Sequence, residues 1–210
     1  MASRLSEIFL DNKLVEKIKK RLPYLFQIAE LESSRAGKIG MQVGSLREDV
    51  IISLLIYKFG EENVETEIPI TTAEVDVLVF KVPVSIKTIT GKNLGGVKLI
   101  WTVDSQKAME FRDNYSPYCD ILLVQINWNH IGSFYYIPVE SQRTVFYKIG
   151  RERYISLPKK GTNPRGVEFS KESLNNLIVH ENTMSIPIEW KKTNVDFNQY
   201  KRWVELWRED

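Results

Sequence analysis

Residues 119–126, CDILLVQI, are apolar almost throughout. A half-buried strand alternates apolar and polar residues. A nearly continuous apolar run of this length therefore predicts a strand covered on both faces. Such a strand needs layers on either side of its sheet, which points to an α/β architecture.

The surrounding segments supply those layers. Leu5, Ile8, Leu14, Val15 and Ile18 lie on one helical face and lead into the basic turn KIKKR. Pro23 suits the first turn of a second helix, YLFQIAELESS. Ser45 is an N-cap for a third helix, LREDVIISLLIYKF, closed by Gly60. The period then shortens to that of strands: VETEIPI, TTAEVDVLVF and VPVSIKTIT, followed after a GKNLGG turn by VKLIW. SQKAMEFRDN reads as a helix and SFYYIPV as a strand. Beyond them come a short helix near ESQRTVFYK, a loop LPKKGTNPRG, and helices SKESLNNLIV and NQYKRWVELWRE. Trp203 and Trp207, one turn apart, are expected to dock the last helix on the body. The expected architecture is a mixed β-sheet flanked by helices, with helical additions at both ends. It forms one domain over 1–210, divided into a helical region 1–41, a core 42–140 and C-terminal additions 141–210.

Composition narrows the chemistry by exclusion. One cysteine, Cys119, rules out an internal disulfide framework and a Cys-rich zinc site. Only His130 and His180 could serve histidine-based chemistry, and they are fifty residues apart. There is no G-x-S-x-G elbow, no H-E-x-x-H and no dinucleotide-binding glycine fingerprint. The net charge of +2 neither demands nor excludes a nucleic-acid partner. No stretch is long and apolar enough to span a membrane, and a soluble, intracellular protein is expected.

The informative stretch is AEVDVLVFKVPVSIKTIT. Asp76 stands in an apolar strand and Lys87 near the end of the next, with ten residues between them. A tight hairpin brings two such residues together. A charge there is costly unless it is paired or bound to a metal. One reading is a buried salt bridge. The other is metal-assisted phosphodiester hydrolysis, in which Asp76 holds Mg²⁺ and Lys87 stabilises developing phosphorane charge or orients the attacking water.

Helix REDVIISLL, strand EVDVLVF, strand VSIKT and the following TGK…KLIWTVD resemble the PD-(D/E)XK nuclease superfamily, and within it the type II restriction endonucleases. The resemblance covers roughly residues 42–127. The segment PKKGTNPRGVEFS is similar to the tail of small restriction enzymes of the ThaI type, although the reading of the site does not depend on that narrower likeness.

The resemblance implies Mg²⁺-dependent, sequence-specific cleavage of double-stranded DNA, leaving 5′-phosphate ends. It also implies a homodimer matched to a short palindrome. Same-fold alternatives are a junction resolvase or repair nuclease, and a catalytically silent module that binds DNA without cutting it. The departure from the family is Ser85, which occupies the place of the usual second acid. The replacement is Glu48 on the preceding helix, Asp104 or Glu74. Each has a plainer role: Glu48 in a capping box with Ser45, Asp104 as a helix cap, Glu74 as an exposed strand-end acid. The Ile86 carbonyl is a further candidate metal ligand.

DNA contacts are expected from Thr88, Thr90, Lys92 and Asn93 on the phosphate backbone. Lys98, Lys107 and Arg112 could line the same groove. In the loop 38–44, Gln42 could read a base edge and Met41 wedge a base step. Lys159, Lys160, Asn163 and Arg165 could read a major groove. For each, a solvated loop or a core side chain is the competing reading.

Overall fold

The computed structural model describes residues 4–35, 38–39, 42–69, 74–158, 166–198 and 200–209. For 35, 38 and 39 only the backbone is described. In chain order the elements are α1 (Ser6–Leu10), α2 (Asn12–Ser33), β1 (Ser34–Arg35), β2 (Lys38–Ile39), α3 (Val43–Phe59), β3 (Val64–Glu65), β4 (Val77–Val79), β5 (Val82–Thr90), β6 (Lys98–Ile100), α4 (Ser105–Asn114) and β7 (Asp120–Ile126). They continue with β8 (Ile131–Ile137), α5 (Val139–Ile149), α6 (Arg151–Tyr154), β9 (Ile155–Ser156), β10 (Val167–Phe169), α7 (Lys171–Ile178), β11 (Met184–Glu189) and α8 (Lys201–Leu206).

The main sheet has six strands in the order β11-β8-β7-β5-β4-β3. β5 and β7 are parallel, and the other pairs are antiparallel. Alternation along the central strands divides the core. Val84 and Ile86 of β5, with Leu122, Val124 and Ile126 of β7, pack beneath α1, α2 and α3. Ile89, Ile121 and Leu123 face a second cluster under α4, α5 and α7. That two-sided burial is why 119–126 lacks polar alternation. A smaller antiparallel sheet, β6-β10-β9, belongs to the second cluster.

The hairpin between β4 and β5 positions the charged pair. Val79 pairs with Val82, so Phe80 and Lys81 form a two-residue turn with both φ values positive, 50° and 66°. This geometry favours Gly or Asn. Here tertiary contacts hold it instead: Phe80 N–H donates to the Asn63 carbonyl at 2.8 Å, and its ring meets Phe59 edge-on at 5.4 Å.

Five local expectations change. α2 runs unbroken through Pro23, because Leu14, Ile18, Leu22, Phe26 and Ala29 form one buried stripe across it. Continuous packing outweighs the proline cost of about 3 kcal/mol. α3 begins at Val43, so Ser45 lies inside the first turn and makes no capping box with Glu48. The strand expected over 71–80 is confined to Val77–Val79 among the described residues. The C-terminal third is not only helical. Met184–Glu189 closes one edge of the main sheet, burying Ile186 and Ile188, and Pro187 is tolerated because this strand is an edge. Finally, α8 buries no side chain. Trp203 and Trp207 are 58% and 89% exposed rather than docked. No helix among the described residues is long and apolar enough to cross a membrane.

Candidate active site

Ser85, Lys87 and Ile89 alternate to the face of β5 opposite Val84 and Ile86. Asp76 extends the β4 ladder by one bond, its N–H donating to the Val84 carbonyl at 3.0 Å. That register sets its carboxylate against residues 85–87 of β5. Asp76 Oδ2 accepts from Ile86 N–H at 2.6 Å, from Ser85 Oγ at 3.3 Å and from Lys87 Nζ at 3.3 Å. All three donors meet the same oxygen, and Oδ1 carries none among the described residues. Ser85 is buried, so the residue in place of the usual acid is a neutral donor to Asp76.

A cavity of about 690 Å³ opens beside this pair. Asp76 and Lys87 line it together with Glu48 from α3, Glu74, and Trp101 just after β6. Burial raises the Glu48 carboxyl to about 7, with the nearby Asp76 charge pushing the same way. Burial raises Glu74 further, to about 8, against the opposing pull of Lys87 and a hydrogen bond from Tyr115. Glu74 has a left-handed backbone, φ 65°, and its Oε2 is buried without a hydrogen-bond partner among the described residues. Strained backbone and an orphaned polar atom are features that cluster at functional sites.

Four carboxyl groups, those of Glu48, Asp49, Glu74 and Asp76, thus share one cavity with a single lysine. The excess of oxygen donors suits a hard divalent cation, which takes oxygen ligands and retains several waters. Among the described residues, no three His, Cys, Asp or Glu side chains are grouped tightly enough to enclose an ion by themselves. A site open to water and substrate fits this donor set better than a closed protein cage.

The other candidates fall elsewhere. Asp104 caps α4, its Oδ1 accepting from Gln106 N–H and Lys107 N–H at 2.8 and 3.2 Å, and it does not line the cavity. Thr90 Oγ1 accepts from Arg47 at 3.2 Å, and Thr88 is half-buried in β5. Lys92 and Asn93 are exposed beyond Thr90. Lys92 borders a second, polar cleft with Gln125, Asn127, Asn129 and His130. Lys98 pairs with Glu168 at 3.3 Å, Arg112 with its neighbour Asp113, and Lys107 is exposed. Gln42 is exposed at the start of α3. Met41, Lys159, Lys160, Asn163 and Arg165 lie outside the described residues.

Sequence reasoning did not find Tyr115, which opposes the rise in the Glu74 pKa, or Trp101 at the cavity mouth. It also missed Arg47, whose guanidinium reaches from α3 to β5 and to Glu30. Nothing in their local pattern separates them from core or surface residues.

Two comparisons bear on this geometry. The family model described as restriction endonuclease ThaI matches residues 8–209. A solved structure described as a restriction endonuclease in complex with substrate DNA is similar at a TM-score of 0.92 and 59% identity, over 99% of this chain and 100% of that one. No curated protein matches the chain.

Proposed function

Since the chain belongs to the ThaI restriction endonuclease family, it is a type II restriction endonuclease, and we propose that Asp76 and Lys87 form the centre of its catalytic site. The observation that carries this is the 3.3 Å approach of Lys87 Nζ to Asp76 Oδ2 in a cavity shared with three further carboxyl groups. Family membership suggests a divalent metal cofactor. We take it to be Mg²⁺, held by Asp76 and Glu48 with the Ile86 carbonyl, and with Glu74 as the remaining candidate acid.

When bound, such an ion would offset phosphate charge and lower the pKa of a coordinated water. The chain's own residues do the rest. Ile86 N–H and Ser85 Oγ fix the Asp76 carboxylate through Oδ2, leaving Oδ1 for the cavity. Lys87, anchored on Asp76, points its ammonium where a scissile phosphate enters, to stabilise the charge that develops on its oxygens. Ser85 cannot ligate as an anion, so the second negative charge comes from across the cavity. Glu48 and Glu74 stand there, their carboxyl pKa values raised by burial to about 7 and about 8, and each would release its proton to solvent when a cation binds.

The substrate is double-stranded DNA with a short palindromic site, cut by a homodimer to leave 5′-phosphate ends, in a prokaryotic cytoplasm. The neighbour's bound substrate DNA supports the DNA assignment. Lys92, Asn93 and Thr88 are proposed to grip the backbone beside the cut, with Thr90 at the end of the same strand. Gln42 and Met41 are proposed for the base steps, and Lys159, Asn163 and Arg165 for the groove.

The test is digestion of phage DNA with Mg²⁺ by wild type, Asp76→Ala and Lys87→Ala. Discrete fragments from wild type alone support the assignment. Equal cutting by either variant would remove that residue from the catalytic centre.

A further inference from the structure

We propose that Trp101 is a DNA-contacting platform at the mouth of the catalytic cavity, packing its indole against the sugar face of the nucleotide beside the cleaved phosphate. This rests on the nuclease reading above. Trp101 lines the cavity that holds Asp76 and Lys87, yet it is 73% exposed. A large apolar ring left in water at the rim of a site is a contact surface in waiting.

The ring is also held in place. Its neighbour Leu99 is buried in the second core cluster, which anchors the chain that carries it. The Lys98 ammonium lies 4.4 Å from the indole centroid, and Lys98 is tied in turn to Glu168 on β10 at 3.3 Å. A cation–π contact of this kind holds the ring from one side. Val103, two residues on, is equally exposed. Holding the ring before the substrate arrives lowers the ordering cost of binding.

DNA follows from position. A phosphate that reaches Lys87 brings its attached sugars over this rim, so the first atoms to meet Trp101 are those of the flanking nucleotide. The exposed tryptophans of the C-terminal segment, Trp203 and Trp207, do not line the catalytic cavity and carry no such constraint. Covering about half of an indole side chain corresponds to roughly tenfold or more in affinity. The contact is apolar, so it should not alter the number of counterions released.

The experiment uses the full-length protein and a duplex carrying the cutting site mapped with wild type. Binding is measured by anisotropy with Ca²⁺ in place of Mg²⁺ at several salt concentrations, and cleavage is measured with Mg²⁺. Trp101→Ala should raise Kd about tenfold while the salt slope and kcat stay within about twofold of wild type. Trp101→Phe should recover most of the affinity. In parallel, the emission lost in Trp101→Phe relative to wild type should become shielded from acrylamide when duplex is added. Unchanged binding by Trp101→Ala with no shielding overturns the proposal, while wild-type cleavage leaves the nuclease reading standing. A lowered melting temperature with proportional loss of kcat in both variants overturns it too, since the ring would then be structural. Failure of wild type to cut or bind any duplex would instead bring down the reading on which it rests.

Discussion

Replacing Glu30 with alanine removes the anion from a buried pair. Glu30 Oε1 accepts from Arg47 Nη2 at 2.6 Å and from Trp128 Nε1 at 2.8 Å, and the two charged side chains are only 5% and 8% exposed. Arg47 would keep its bond to Thr90, but its Nε is buried and has no partner among the described residues even in the intact pair. Stranding a buried guanidinium costs about 3–5 kcal/mol. The lost tryptophan bond adds about 1 kcal/mol. Lys192, at 3.5 Å and half-exposed, changes the sum little. With a urea m-value of about 2–3 kcal/mol/M for a chain of this size, the unfolding midpoint should fall by about 2 M. Glu30→Met combined with Arg47→Leu should cost less than either single change, because no charge is left stranded. Urea unfolding of Glu30→Ala and of the four proteins of this cycle, followed by far-UV circular dichroism, measures the terms. A cost below about 1 kcal/mol for Glu30→Ala, or a double variant equal to the sum of the singles, would refute the reasoning. The pair joins the end of α2 to the start of α3, which carries Glu48, so cleavage should weaken along with stability.

Four other outcomes are expected. Glu48 and Glu74 have raised carboxyl pKa values in the fold, so the native state binds more protons than the unfolded chain between about pH 4.5 and about pH 8. Stability of the metal-free protein should therefore fall as pH rises through 7 and 8 and level off above. Calorimetric melting of wild type against Glu74→Gln checks this, and a flatter profile is expected for the variant. Added Mg²⁺ competes with those protons and should raise the melting temperature more at pH 8 than at pH 6, with the difference shrinking in Glu48→Gln. Gly132→Ala places a methyl 2.1 Å from the Gln125 carbonyl oxygen and 2.6 Å from Trp190 Nε1, so it should cost about 1–3 kcal/mol in denaturant unfolding. Trp207→Ala, at a side chain 89% exposed, should change the stability of the dilute protein by less than about 0.5 kcal/mol.

Much of the central sheet was legible locally. The two-faced strand β7, the β4–β5 hairpin and the helix of REDVIISLL follow from patterns only a few residues long, where period and turn spacing carry the signal. The approach of Asp76 to Lys87 is visible in the same way, because a two-residue turn sets the register of the strands on either side of it. Edge strand β11 was not legible: Pro187 argues against a strand until its place at the sheet margin is known. Nor did Ser45 reveal that α3 starts at Val43, since a residue suited to capping also sits in a first turn at little cost.

The chain by itself determined which residues must be covered on both sides and which charges must meet, because strand period and hairpin register are properties of neighbouring residues. Only the tertiary structure decided that Pro23 stays inside a helix, since the packing that holds it comes from α3 and the sheet. It also decided that Glu48 and Glu74 face Asp76 across one cavity while Asp104 turns to cap α4. Trp101 at the cavity mouth and Trp207 in open solvent are alike in sequence. Burial, exposure and the field of distant charges arise between segments remote in the chain, and no local pattern records them.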